Sequence, residues 1–347
     1  MRLLDAHFAR ELLVHEGLLQ PGEALEVRPL GGGVSNVVLY AQSPRAAWVL
    51  KQARPRLAVA DEWLADVSRA WTEAECLKLL ADWLPGASPR VVFEARAAYV
   101  FAIEGAPLGT PTWKDALMAG RFDPAVARSV GALLGTLHTA AAQRPDLAQA
   151  FDTLEAFAQL RLDPYRRTVA RRHPEWHAAI DEELQCLNDR RWSLVHGDYS
   201  PKNLLLMPGG AAESPRLWLL DCEVAHWGHP AFDVAFMLNH LLLKAIYWVF
   251  ERGDAGAARA ALALAPHFWR AYVQATPAGW QAEIEARTAA ELPILLLARV
   301  DGKSPVEYLK GEPVREKVRC LARELRTQPR HLEPRLEYAA QCILREV

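Results

Sequence analysis

Three residues able to do chemistry stand close together in "LVHGDYSPKNLLL", residues 194–206: His196, Asp198 and Asn203. A second acidic pair, Asp221 and Glu223, follows in "LDCE". Suppose the apolar runs 203–207 and 216–221, joined by "PGGAAESP", pair antiparallel about residue 212. Asn203 then faces Asp221 at the open end of the hairpin, with Cβ atoms about 5 Å apart. An amide oxygen and a carboxylate at that separation suit Mg²⁺, a hard cation that takes few protein oxygens and shares the rest with phosphates and water. If the strand continues, Glu223 lies on the same face as Asp221 and adds a second carboxylate, because side chains repeat every two residues. Asp198 sits just before the hairpin, on the same rim. A carboxylate there can take a proton from a hydroxyl while the metal holds a phosphoryl donor, which is the division of labour of phosphoryl transfer. Alone, Asp198 or Asn203 reads as a turn residue capping backbone groups. The D-x-E at the opposing strand end favours chemistry.

A donor needs a place for its phosphates. "LGGGVSN", 30–36, falls between two expected strands. Gly31, Gly32 and Gly33 make a bend where backbone amides approach phosphates closely, and Ser35 offers a hydroxyl. No G-K-S/T follows, so this is not a Walker loop; a strand follows rather than a helix, so it is not a dinucleotide fingerprint. Lys51 stands alone in the apolar strand "AAWVLKQ" and needs a partner when buried. The next helix offers Glu73 and Glu75. Glu73 precedes Leu77 and Leu80 by four and seven residues and shares their apolar face. Glu75 is about 200° around from Leu77 and points away. Glu73 is therefore the expected partner of Lys51, the pair that kinases use to hold phosphates. Ala102, Ile103 and Glu104, leading to Gly105, are expected to form a hinge offering backbone groups to adenine.

These residues need elements to position them. An amphipathic helix opens the chain in "MRLLDAHFARELL", and strands are expected at 23–30, 36–41, 47–52, 90–95 and 98–103, with a helix over 61–83. "EGAPLGTP" then breaks the pattern. Beyond about residue 112 helices dominate: 125–141, 151–162, 175–190, 232–250, 256–275, 280–300, 313–326 and 332–346, interrupted by the hairpin above. The expected architecture is α+β and bilobal: a small β-rich N-lobe over 1–104 that binds nucleotide, and a larger α-helical C-lobe over 105–347 that carries catalysis and the acceptor. Two such lobes leave a cleft, a usual place for a ligand.

"HGDYSPKN" matches H-G-D-x-x-x-x-N, and "LDCEVAHWGHPAFDVAF" matches D-x-E…G-x-P-x-x-D-x-A. Both resemble the aminoglycoside phosphotransferase and choline kinase family, which has a protein-kinase-like fold. The resemblance covers most of the chain and is strongest over 30–80 and 192–240. It implies ATP and Mg²⁺ as cofactors, Asp198 as catalytic base, and Asn203 and Asp221 as Mg²⁺ ligands. It further implies His196 as a brace of the catalytic loop and Asp233 as the helix residue that holds the loop backbone. Within that family, "VLKQARPRLAVADEW" is similar to the 5-methylthioribose kinase branch.

The 347 residues allow two real cores, and the net charge of −2 gives no pull toward nucleic acid or an anionic membrane. Asp233, Asn239, His240 and Lys244 interrupt the apolar run 232–250, which reads as a buried helix rather than a membrane span. The five cysteines are dispersed, with no C-x-x-C spacing, as in a reduced cytoplasmic protein without structural zinc. "RRTVARRHPEW", 166–176, reads as a solvated basic face, Ser304 to Glu307 as a capping box, and His138 as a core histidine. The leading expectation is a kinase for a hydroxyl of a small molecule, a neutral sugar or similar metabolite. H-G-D in place of H-R-D, without D-F-G or A-P-E, argues against a protein kinase. A non-catalytic nucleotide binder is disfavoured because every catalytic residue type is present. An aminoglycoside or other antibiotic acceptor is the runner-up. Residues 255–347 carry 14 Lys and Arg against 11 Asp and Glu, a poor wall for a polycation and a better one for a neutral or anionic sugar derivative.

Overall fold

The computed structural model describes residues 2–31, 35–55, 66–209 and 215–345, with the backbone alone at Leu187. It divides into two compact units, Met1–Thr110 with Trp218–Val224, and Pro111–Leu217 with Ala225–Val347. The first unit thus reaches past the expected cut after residue 104 and also takes in the segment that holds Asp221 and Glu223.

Alternation of apolar and polar residues makes the first unit a five-stranded antiparallel sheet. Its strands lie side by side in the order Glu26–Pro29, Asn36–Gln42, Ala47–Ala53, Val100–Glu104, Val91–Ala95. Register pairs Leu39 with Leu50 and Leu50 with Ala102, so Leu39, Ala41, Trp48, Leu50, Val100 and Ala102 share one face and one core. The expected N-terminal helix, Ala6–His15, seats Ala9 and Leu13 in that core, and Asp5 caps it by accepting from the Phe8 amide at 2.7 Å. Lys51, one residue from Leu50, points to the opposite face. The Arg69–Trp83 helix buries Glu73, Leu77 and Leu80.

The second unit is mostly helical. Every residue of the Ala231–Ile246 helix is buried. With its π-helical extension to Glu251 it is the one described helix long and apolar enough to cross a membrane, and 89% of its most apolar stretch is buried inside the protein. Two glycines let the Pro124–Ala142 and Ala255–Gln274 helices approach closely: a Cβ at Gly131 would stand 2.2 Å from the Phe268 carbonyl oxygen, and one at Gly135 2.8 Å from that of Tyr272. Both obstacles are backbone and cannot swing aside. Gly131→Ala should therefore destabilise the protein by about 1–3 kcal/mol in denaturant unfolding. Gly279→Ala, which meets nothing within 4 Å, should stay within about 0.5 kcal/mol of wild type. Equal stability of the two variants would contradict this packing.

Two expectations are corrected here for tertiary reasons. The run 166–176 is a solvated face only in part: Arg167, Arg171 and Arg172 are exposed, but Arg166 is 1% exposed and ion-paired to buried Glu291 at 2.5 Å, and His173 Nε2 lies 2.7 Å from Asp301. The Gln281–Asp301 helix supplies both carboxylates and draws Arg166 and His173 inward. Ser304 caps no helix either. The Ser304 carbonyl accepts from Arg299 at 2.5 Å and the Val306 amide donates to the Arg299 carbonyl at 2.9 Å, so this stretch folds back on the preceding helix. The next helix, Glu312–Thr327, starts after Gly311 with Pro313 in its first turn. His138, fully buried, is a core histidine as expected.

Candidate active site

In the second unit the loop 196–203 is held at nearly every residue. Asp233, in the first turn of its helix, accepts from the His196 amide at 2.7 Å and the Gly197 amide at 2.9 Å. Its carboxylate is steadied by His138, whose Nε2 is 3.3 Å away and whose Nδ1 is 3.0 Å from the Tyr272 hydroxyl. Gly197 has φ of +78°, a conformation that glycine takes without steric cost. The His196 ring accepts from the Asp198 amide through Nδ1 at 3.1 Å, and the Tyr199 hydroxyl anchors the loop on the Val130 carbonyl at 2.7 Å. Asn203 Nδ2 donates to the Asp198 carbonyl at 2.9 Å. That bond commits the amide nitrogen and leaves the amide oxygen as the group able to face a cation.

The Asp198 side chain is 2% exposed and lies between two cations. Arg161 Nη2 and Lys202 Nζ each reach Asp198 Oδ2 at 2.8 Å. Arg161 also donates from Nε to the Gly197 carbonyl at 3.0 Å, so one guanidinium fixes both the backbone and the carboxylate. The sequence hides Arg161: it comes from the π-helical segment Ala158–Arg167, far upstream of the loop, with no motif to mark it. Lys202 was visible inside the motif but carried no signal of its own.

In the first unit Lys51 forms an ion pair with Glu73, and its ammonium also stands 3.2 Å from Asp221 Oδ1. Burial works against the Lys51 charge, but the Glu73 and Asp221 carboxylates outweigh it and hold its pKa above the ordinary lysine value. Glu75 instead pairs with Lys78 at 2.9 Å near the surface. The helical spacing therefore picked the residue that meets Lys51.

Other expected site residues stand differently. The strand 216–221 stops at Leu219, the strand 203–207 spans only Leu204–Leu206, and Asp221 adopts φ of +67°. Neither Asn203 nor Asp221 is a strand residue, so the strand register does not extend to them. The i, i+2 argument for Glu223 fails for the same reason. Its carboxylate is already engaged: Oε1 accepts from the Ser35 hydroxyl at 2.6 Å, and Oε2 from Asn36 Nδ2 at 3.2 Å and Arg69 Nε at 3.0 Å. Glu223 thus ties together Ser35, Asn36 and Arg69, and the Ser35 hydroxyl donates its proton to Glu223. Gly31 is exposed with open space around it, while Gly32 and Gly33 lie outside the described residues. Ala102 and Ile103 are not a hinge: they pair with Leu50 and Val49 on one side and with Phe93 and Val91 on the other. Glu104 pairs with Trp48, and the Gly105 amide still donates to the Ala47 carbonyl at 2.9 Å, so the sheet runs through these residues.

Among the described residues, no three His, Cys, Asp or Glu side chains gather as for a metal held by protein alone. Within the second unit Asp198 offers a carboxylate and Asn203 an amide oxygen, and within the first unit Asp221 offers a carboxylate beside buried Lys51.

A β-sheet unit with a buried Lys–Glu pair and a helical unit with an H-G-D loop define a kinase-like phosphotransferase fold. The chain matches the phosphotransferase enzyme family over residues 26–280 and belongs to that family. It is similar to the methylthioribose kinase of Geobacillus thermodenitrificans, with 23% identity over 260 residues, 69% of this chain and 65% of that protein. It is also similar to the methylthioribose kinase of Pectobacterium atrosepticum, with 24% identity over 264 residues, 66% of this chain and 62% of that protein. The match thus spans less than two thirds of either relative's length. A crystal structure of a Ralstonia eutropha protein assigned as an aminoglycoside phosphotransferase shares the fold, with a TM-score of 0.50 and 17% identity, covering 97% of this chain and 98% of that one.

Proposed function

We propose that this protein is an ATP- and Mg²⁺-dependent phosphotransferase that moves a phosphoryl group onto a hydroxyl of a small molecule, a neutral or anionic compound such as a sugar derivative. The observation that carries the reading is Asp198: a buried carboxylate in a loop pinned by Asp233, with its orientation set by Arg161 and Lys202. A carboxylate so held is ready to accept a hydroxyl proton with little reorganisation. Lys51, held by Glu73, is the group for the donor's phosphates, and Asn203 and Asp221 supply hard oxygens to Mg²⁺. When bound, Mg²⁺ neutralises the charge on the phosphates.

The donor set makes a metal-dependent prediction. Mg·ATP should raise the melting temperature clearly, and ATP with chelator much less, because ligand stabilisation follows affinity for the folded state. Equal shifts with and without Mg²⁺ would remove the metal from the proposal. A coupled ADP-release screen over sugars, sugar acids and phosphates, amino alcohols and aminoglycosides then tests the acceptor class.

A further inference from the structure

The Ala231–Ile246 helix carries a lysine in an unusual position. Lys244 is 1% exposed, and its ammonium donates to the Tyr308 hydroxyl at 3.1 Å and lies 4.3 Å from the centroid of that ring. Among the described residues it meets no carboxylate at ion-pair distance. A buried ammonium whose hydrogen-bond partner is one neutral phenol is costly to keep charged.

Its surroundings are positive as well. Burial first, then the charge of Lys114, pushes Lys244 down to about 7; Arg299 adds to this and Glu307 opposes it. His240, one turn earlier on the same helix, is pushed well below its ordinary value by burial and then by Arg299, Lys244, Lys202 and Lys114. These cations come from four separate parts of the second unit. Lys114 is on the Trp113–Met118 helix, where it pairs with Glu307, and Arg299 is on the Gln281–Asp301 helix, bonded to the Tyr165 hydroxyl at 2.9 Å. Lys202 belongs to the loop and reaches Asp198 at 2.8 Å. The Pro201–Asn203 turn that carries Lys202 packs against the Trp113–Met118 helix that carries Lys114, which brings the two lysines into one region beside the base carboxylate. Arg161 extends that region from the other side, with its guanidinium 5.9 Å from the Tyr165 ring and Arg299 5.4 Å from the same ring. Glu307 takes up Lys114 and Asp198 takes up Lys202, so among the described residues no carboxylate stands at ion-pair distance from Lys244 itself.

We propose that Lys244, Lys114, Arg299 and Lys202 form an anion subsite next to Asp198, and that the acceptor hydroxyl compound carries a carboxylate or phosphate group bound there. This narrows the proposed acceptor from neutral or anionic to anionic and rests on the kinase reading for the role of Asp198. A desolvated ammonium pairs strongly with such an anion and rejects a polycation.

The test is calorimetric, on the full chain, with ADP and Mg²⁺ titrated first and inorganic phosphate or acetate second. At least one anion should bind the wild type, and Lys244→Met and Lys114→Gln should each weaken it about tenfold or more. Phosphate binding better than acetate identifies phosphomonoester acceptors, and the reverse identifies carboxylates. If Lys244→Met fails to fold, the partly exposed Lys114→Gln carries the comparison. Binding of neither anion, or unchanged binding in the variants that fold, overturns the subsite. Turnover of kanamycin with kcat/KM above about 10⁴ M⁻¹ s⁻¹ overturns it too. The ADP titration judges the kinase reading separately. A protein that takes phosphate through Lys244 but no ADP keeps the subsite and loses the kinase. One that takes ADP but neither anion loses only the subsite.

Discussion

Asp198→Asn should lower turnover by about 10²–10⁴ and leave nucleotide affinity near wild type. The substitution keeps size and removes the ability to take a proton. The loop should survive it, because its shape does not depend on that carboxylate: Asp233 holds the His196 and Gly197 amides, His196 accepts from the residue 198 amide, and Asn203 holds the residue 198 carbonyl. The asparagine oxygen can still face Arg161 and Lys202, so neither cation is left against a donor alone. Steady-state kinetics and a nucleotide titration on the same preparation separate the roles. Near-normal turnover removes Asp198 as the base. Loss of nucleotide binding together with turnover makes it a structural residue instead.

Lys51→Met should lower kcat/KM for ATP by about 10²–10³, the range for removing one preorganised charge from a transition state. It should also cost about 3–5 kcal/mol of stability, because Glu73 is left buried without its partner. Glu73 is 1% exposed and its second carboxylate oxygen has no hydrogen-bond partner, so solvent cannot take over from the lysine. The two effects separate in the double variant Lys51→Met/Glu73→Leu, which removes the orphaned charge along with its partner. Stability should largely return and activity should not. If activity returned with stability, Lys51 would be a packing residue with no part in handling phosphates.

The sequence showed these features to different degrees, according to how local their causes are. Strand alternation located all five strands of the first unit, and helical spacing separated Glu73 from Glu75, because both periodicities are set by the backbone itself. The pinned loop was legible through spacing: His196, Asp198, Asn203 and Asp233 fall where the motif implies and meet each other. The strand argument for Glu223 does not hold, because the strand ends at Leu219 and Asp221 turns left-handed, which no alternation reveals. Ala102 to Glu104 lie within the sheet, whose pairing extends to Gly105, a tertiary extent that the sequence break at Gly105 does not mark. Within the otherwise solvated basic run, the inward turn of Arg166 and His173 is hidden because their partners, Glu291 and Asp301, lie more than a hundred residues away. Arg161 and Lys244 were missed for the same reason. Each is one charge in a helix, and only the tertiary packing brings it to Asp198 or to Tyr308.

The central claim is transfer of the ATP γ-phosphoryl group to a small-molecule hydroxyl with Asp198 as base. Phosphorus NMR of ATP, Mg²⁺ and an acceptor drawn from the ADP-release screen tests it most directly. A phosphate monoester resonance should grow in step with ADP, only when the acceptor is present, and should vanish on the same timescale with Asp198→Asn. ADP and free phosphate appearing at one rate with or without any acceptor, or the monoester forming equally fast in Asp198→Asn, would contradict the account.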